Sequence, residues 1–149
     1  MNTVKRSKGL NLPPWPKKSL PFLIKEFGPT VFLAILLGTC LDLYFVGKNL
    51  YMFPKRPFPE IFSFNIGFTF IALPILVLVF INMMNRVTKW GKVGIILFLS
   101  LLMPTMERLS ELFGLFEHAS EWKHIYSFFG YLVFLSLIFV FYRVTNKEH

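Results

Sequence analysis

Apolar residues fall into four runs, at 29–47, 61–82, 93–103 and 124–142, separated by short segments that carry most of the charge and most of the proline. About 20 helical residues cross a hydrocarbon core of about 30 Å, so the first, second and fourth runs have the length of transmembrane helices. The third is only eleven residues long and reaches that length by continuing past Pro104, through Glu107 and Arg108 to about 112. The pattern predicts an all-α integral membrane protein with four transmembrane helices, at about 29–47, 61–82, 93–112 and 124–142. Pro74 should kink the second span, a distortion that neighbouring helices accommodate.

The segments around these runs have their own signatures. Leu20, Leu23, Ile24 and Phe27 stand at i, i+3, i+4 and i+7, with Ser19 available as N-cap and Pro21 in the first turn. Lys17, Lys18 and Lys25 flank this stripe, so 19–27 is expected to be a short amphipathic helix in the headgroup region, redirected inward at Gly28-Pro29. It closes a basic N-terminal segment, 1–28, and the membrane domain follows as 29–149. Residues 48–60 contain Pro54, Pro57 and Pro59 and read as an extended, stiff strap. Residues 82–92 read as a tight basic turn with Trp90 as interfacial anchor. Ala34 with Gly38, and Ser63 with Gly67, have the spacing of small residues that lets another helix approach closely, within one chain or in a homo-oligomer.

The composition agrees with this reading: 54% of residues are hydrophobic and 19 are Phe, more than a soluble core of this size needs. The net charge of +8 sits beside apolar runs, without a basic helix or an RNA-binding signature, so anionic lipid headgroups rather than nucleic acid account for it. With the N-terminus inside, the inner segments hold eleven Lys and Arg and the outer ones five, which predicts both termini on the cytoplasmic face. A signal peptide is disfavoured by the long polar leader and the lack of an A-x-A site. Leu37-Gly38-Thr39-Cys40 departs from a lipoprotein box at Thr39, and Cys40, the single cysteine, reads as a small apolar helix residue.

Chemistry concentrates at 103–124, which holds four of the eight acidic residues and two of the three histidines. The predicted topology sets Asp42, Arg56, Asn65, Glu107, Arg108, Glu111, His124 and Tyr126 at one outer level. Charges at the bilayer centre cost about 2.5 to 3.5 kcal/mol each, so these groups should pair or face water in one polar pocket, with Arg108 the expected counter-ion of Asp42. Glu107 and Glu111 share a helical face, and Glu121 with His124 sets a carboxylate and an imidazole one turn apart. These four are the only candidate metal ligands, and a di-metal bundle needs a second Glu-x-x-His pair that is missing. No G-x-S-x-G, H-E-x-x-H or Cys-His arrangement occurs, so no catalytic residue is assigned and no cofactor is expected.

The four spans, the strap Phe53-Pro54-Lys55-Arg56-Pro57, the glutamate Glu107 late in the third span and the aromatic fourth span make this chain similar to a family of small uncharacterised membrane proteins from spore-forming Gram-positive bacteria. The resemblance implies a multi-pass protein of the bacterial cell membrane and brings no activity with it. Two functions stand open at this point. One, preferred, is a non-enzymatic binding or structural membrane component that binds partner helices or lipid, its polar pocket first of all a structural ion-pair network. The other is a small-molecule or ion transporter, or a membrane-embedded enzyme, using Glu107, Arg108 and Glu111; inverted repeats, the usual mark of a carrier, are absent.

Overall fold

The computed structural model describes residues 18–147. The basic stretch 1–17, expected at anionic headgroups, lies outside the described residues. Four helices follow one another: α1 (Leu20–Gly47), α2 (Leu73–Met84), α3 (Lys89–Leu112) and α4 (His124–Thr145). Two short strands, β1 (Tyr51–Met52) and β2 (Glu117–His118), pair antiparallel between them. Helices α1, α3 and α4 are long and apolar enough to cross a membrane, and few of their residues are buried within the bundle. Leu36, Phe98, Leu101, Val133 and Leu137 are among the large apolar residues left exposed. A surface of that composition fits lipid as its solvent.

Three expectations are corrected. First, α1 runs unbroken from Leu20 to Gly47, with Pro29 inside it, so the interfacial helix 19–27 and the first span are one helix. Pro29 lacks the N–H that would bond back to Lys25, but its ring is accommodated without ending the helix. Second, the second span is shorter than 61–82: residues 61–65 are not helical, and the helix starts at 66–67 and passes through a π-helical turn, Phe68–Ala72, into α2. The Leu73 N–H bonds to the Phe68 carbonyl, five residues back. Pro74 donates no bond to Phe70, and the wide turn immediately before it takes up the mismatch. Third, the strap 48–60 is not extended throughout: only β1 is strand, and the chain bends and turns from Pro54 to Glu60.

The third helix does continue past Pro104, as its length demanded. Thr88 caps it, accepting from the Gly91 N–H at 3.4 Å. At the other ends, α1 and α3 stop in the same way. Asn49 (φ 56°) and Gly114 (φ 68°) take the left-handed conformation one residue beyond the cap. Leu50 N–H then reaches the Phe45 carbonyl, and Leu115 N–H reaches that of Ser110, closing two Schellman turns. Each turn sends the chain into one strand of the ribbon. Tyr51 pairs with His118 and Met52 with Glu117, and Ala119 N–H adds a bond to the Leu50 carbonyl.

The core is built on α2, whose Val77, Phe80, Ile81 and Met84 are almost fully buried against Ala34 of α1 and Leu135 and Ile138 of α4. The Ala34/Gly38 spacing serves this packing within the chain: a Cβ at Gly38 would stand 2.9 Å from Leu73 Cδ2. Gly67, by contrast, faces Asn65 and Pro57 of its own connection. At the end of the bundle where α1 starts and α4 finishes, Tyr142 donates to Glu26 (3.0 Å) and accepts from Asn85 (3.0 Å). Asn146 donates to the Glu26 carbonyl, and Phe27 stacks on Tyr142 at 5.7 Å. This network ties the start of α1 to the ends of α2 and α4.

Candidate functional site

The opposite end of the bundle, beneath the β1–β2 ribbon, holds the polar residues. Asp42, one turn and a half before the end of α1, accepts a 2.8 Å hydrogen bond from the Tyr51 hydroxyl. Burial, with the Asp42 carboxylate beside it, pushes the Tyr51 phenol up, so the ring oxygen stays protonated and remains the donor. Glu107 of α3 faces the start of α4, where Ser127 Oγ donates to its Oε2 at 2.6 Å and His124 Nδ1 lies 3.3 Å from the same oxygen. The two turns of α3 beyond Pro104, which complete its length, also carry Glu107 and Glu111 to this level.

Two cavities meet at these acids. The larger, about 330 Å³, lies among α1, the π turn and α4, with Gly38, Phe45, Leu73, Trp122, Gly130 and Phe134 in its walls. The smaller, about 210 Å³, lies under the strap between Phe53, Asn65, Met103, Met106 and Phe116. Asp42, Tyr51, Phe68, Glu107 and Tyr131 line both, so the acids form part of a shared partition. The walls are otherwise mostly apolar and aromatic. Phe45, Tyr51, Phe116 and Trp122 stack edge-on or tilted at 5.1 to 5.3 Å and roof the space from the ribbon side. Trp122 is buried, yet its Nε1–H has no hydrogen-bond partner among the described residues. An unsatisfied buried donor costs about 1 to 3 kcal/mol, and this one belongs to a residue of the cavity wall.

The residues named from sequence divide. Asp42, Glu107 and Tyr126 line the larger cavity and Asn65 the smaller. Asn65 also caps the π turn, its Oδ1 accepting from Phe68 N–H at 3.2 Å. Glu111 and His124 stand beside the cavities. Arg56 serves the strap instead: it donates to the carbonyls of Phe53, Phe62 and Pro59, three acceptors that an irregular segment leaves without partners. Arg108 is exposed and forms no ion pair among the described residues, so the expected pair with Asp42 is not made. One residue beyond Glu107, it is rotated by about 100° around α3 and faces outward. Glu121 lines the larger cavity but stays out of the histidine cluster.

Tyr51, His118, Ser127 and Trp122 were not among the site residues expected from the sequence. Tyr51 and His118 arrive through strand pairing, and His118 was marked only by lying seven residues after Glu111 and six before His124. No family model, curated protein or solved structure matches the chain.

Proposed function

We propose that the chain is a multi-pass membrane protein that binds a small amphiphilic molecule beneath its ribbon, without catalysing its conversion. Its helices cross the bilayer four times, with both termini on the cytoplasmic face of a bacterial cell membrane and the ribbon outside. The Lys and Arg distribution and the alternating course of the four helices support that orientation. Phe68–Met84 spans about 26 Å as helix, and its packing against α1 and α4 spares it from meeting the full hydrocarbon thickness alone.

The observation that carries the binding reading is the pair of apolar cavities sharing the Asp42 and Glu107 partition. Concave, largely apolar space with a few convergent polar groups is what small-molecule sites are made of. A fitting ligand has an apolar body, a cationic or hydrogen-donating head for the two carboxylates, and an acceptor for Trp122 Nε1–H. Hydrolysis by a Ser–His pair is not supported by the geometry. Ser127 and His124 both bond to Glu107, with the carboxylate between them, whereas a nucleophile needs its base as direct partner.

Gly130 supplies the test. A Cβ there meets nothing within 4 Å, and the residue lines the larger cavity. Gly130→Leu should fill the space and leave the fold intact. Native mass spectrometry of protein extracted in mild detergent should show a small bound mass on the wild type that Gly130→Leu and Glu107→Gln lose. A ligand-free wild type, or a bound mass indifferent to Gly130→Leu, would sink the reading.

A further inference from the structure

Glu111, His118 and His124 converge beside the cavities without lining either, and the proposed function makes no use of them. One donor atom from each lies within 4.8 Å of the other two. His118 Nδ1 is in contact with Glu111 Oε1, and His124 Nε2 stands 3.5 Å from Glu111 Oε2, so a single carboxylate faces an imidazole with each of its oxygens. The two rings meet edge to face, their centroids 4.9 Å apart. All three side chains are partly exposed, which leaves a path for an ion from solution.

His124 is placed between two carboxylates, with Nδ1 toward Glu107 and Nε2 toward Glu111. A neutral imidazole has one N–H. If Nδ1–H donates to Glu107, Nε2 turns a lone pair toward the Glu111 carboxylate, an arrangement that repels until a cation stands between them. A carboxylate accepting from the far nitrogen of a ligating histidine is the usual support of a metal-bound imidazole, because it fixes the tautomer and raises the ligand's basicity. The backbone converges on the same point from three elements: α3 brings Glu111, the Schellman turn at Gly114 and the ribbon bring His118, and the start of α4 brings His124.

We propose that Glu111, His118 and His124 bind one divalent first-row transition metal ion, of which Zn²⁺ is the representative. Two imidazoles and a carboxylate suit such an ion and not Ca²⁺ or Mg²⁺, which take oxygen ligands. Metal–nitrogen and metal–oxygen distances of about 2.0 to 2.2 Å require the donors to close by rotation of exposed side chains. Three protein ligands leave a fourth position open to water. The bound ion pins the ribbon to the ends of α3 and α4. Glu107 acts as a positioning residue, through His124.

The test uses tag-free, full-length protein in detergent, stripped with chelator and titrated with Zn²⁺ by calorimetry. One ion per chain is expected. His118→Gln and His124→Gln should each abolish this binding, and Glu107→Gln should weaken it about 10-fold or more while stoichiometry stays at one. Glu117→Gln, on the neighbouring ribbon position, should bind as the wild type does. X-ray absorption of the zinc-loaded wild type reads ligation without relying on any variant's fold, and two imidazoles in the first shell are expected. Failure of the wild type to bind, full stoichiometry in the His118→Gln/His124→Gln double variant, or a shell with fewer than two imidazoles overturns the proposal. Loss of the small-molecule mass in the Gly130→Leu variant leaves this result untouched, so the two readings fail separately.

Discussion

Gly114 and Asn49 hold equivalent positions after α3 and α1, but only one of them has a side chain to strain. A Cβ in the left-handed region costs about 1 to 2 kcal/mol, and Asn offsets part of that through its short polar group. Gly114→Ala should therefore lower stability in detergent by about 1 kcal/mol. Because the same turn aims His118, it should weaken Zn²⁺ binding as well. Thermal unfolding with and without zinc reads both effects, and an unaltered midpoint would mean that the turn does not hold this conformation. At this scale the sequence exposed Asp42, Glu107, Glu111 and His124, since a charge next to lipid is costly and stands out for that reason. It did not expose Tyr51 or His118. A two-residue strand has no periodicity to read, and the pairing that brings these side chains inward exists only after two distant turns have closed. Arg108 misled for the opposite reason: its charge was conspicuous, and its outward direction is set by helical phase relative to the partner helix.

Among the elements, the hydrophobic runs located α3 and α4 well and α2 poorly. Residues 61–65 are as apolar as a helix requires, yet they lie between the proline-rich strap and the π turn, and the Arg56 bonds to Phe62 and Pro59 hold that backbone out of helical form. Apolar composition cannot distinguish these two fates. The joining of 19–27 to the first span was hidden by Gly28-Pro29, which commonly ends a helix but is tolerated here. The small-residue spacing in α1 was informative, although it left the partner open between a second chain and α2. Gly38→Val should lower stability by about 1 to 3 kcal/mol through overpacking against Leu73. Gly94→Val, where an added Cβ meets nothing within 4 Å, should tolerate the same change far better. Equal losses at the two positions, measured by unfolding in one detergent, would show that helix propensity rather than the α1–α2 contact governs Gly38.

At the scale of the whole molecule, the cavities and the histidine cluster acquire their meaning from where the ribbon end faces. Polar connections alternate between the two ends: the network of Glu26, Asn85 and Tyr142 lies where α1 starts and α4 finishes, and Asp42, Tyr51 and Glu107 at the other end. The proposed orientation, which rests on the excess of Lys and Arg in the segments read as inner, puts the end where α1 starts and α4 finishes on the cytoplasmic side. Single cysteines at Ser120 and Lys89, in a Cys40→Ser background, report on this directly through a membrane-impermeant maleimide applied to intact cells. Both positions are exposed, Ser120 in the connection before α4 and Lys89 at the first residue of α3, at opposite ends of the bundle. Labelling at position 120 and protection at position 89 until the cells are lysed is the predicted result; labelling at 89 with protection at 120, or equal labelling of both in intact cells, would contradict it.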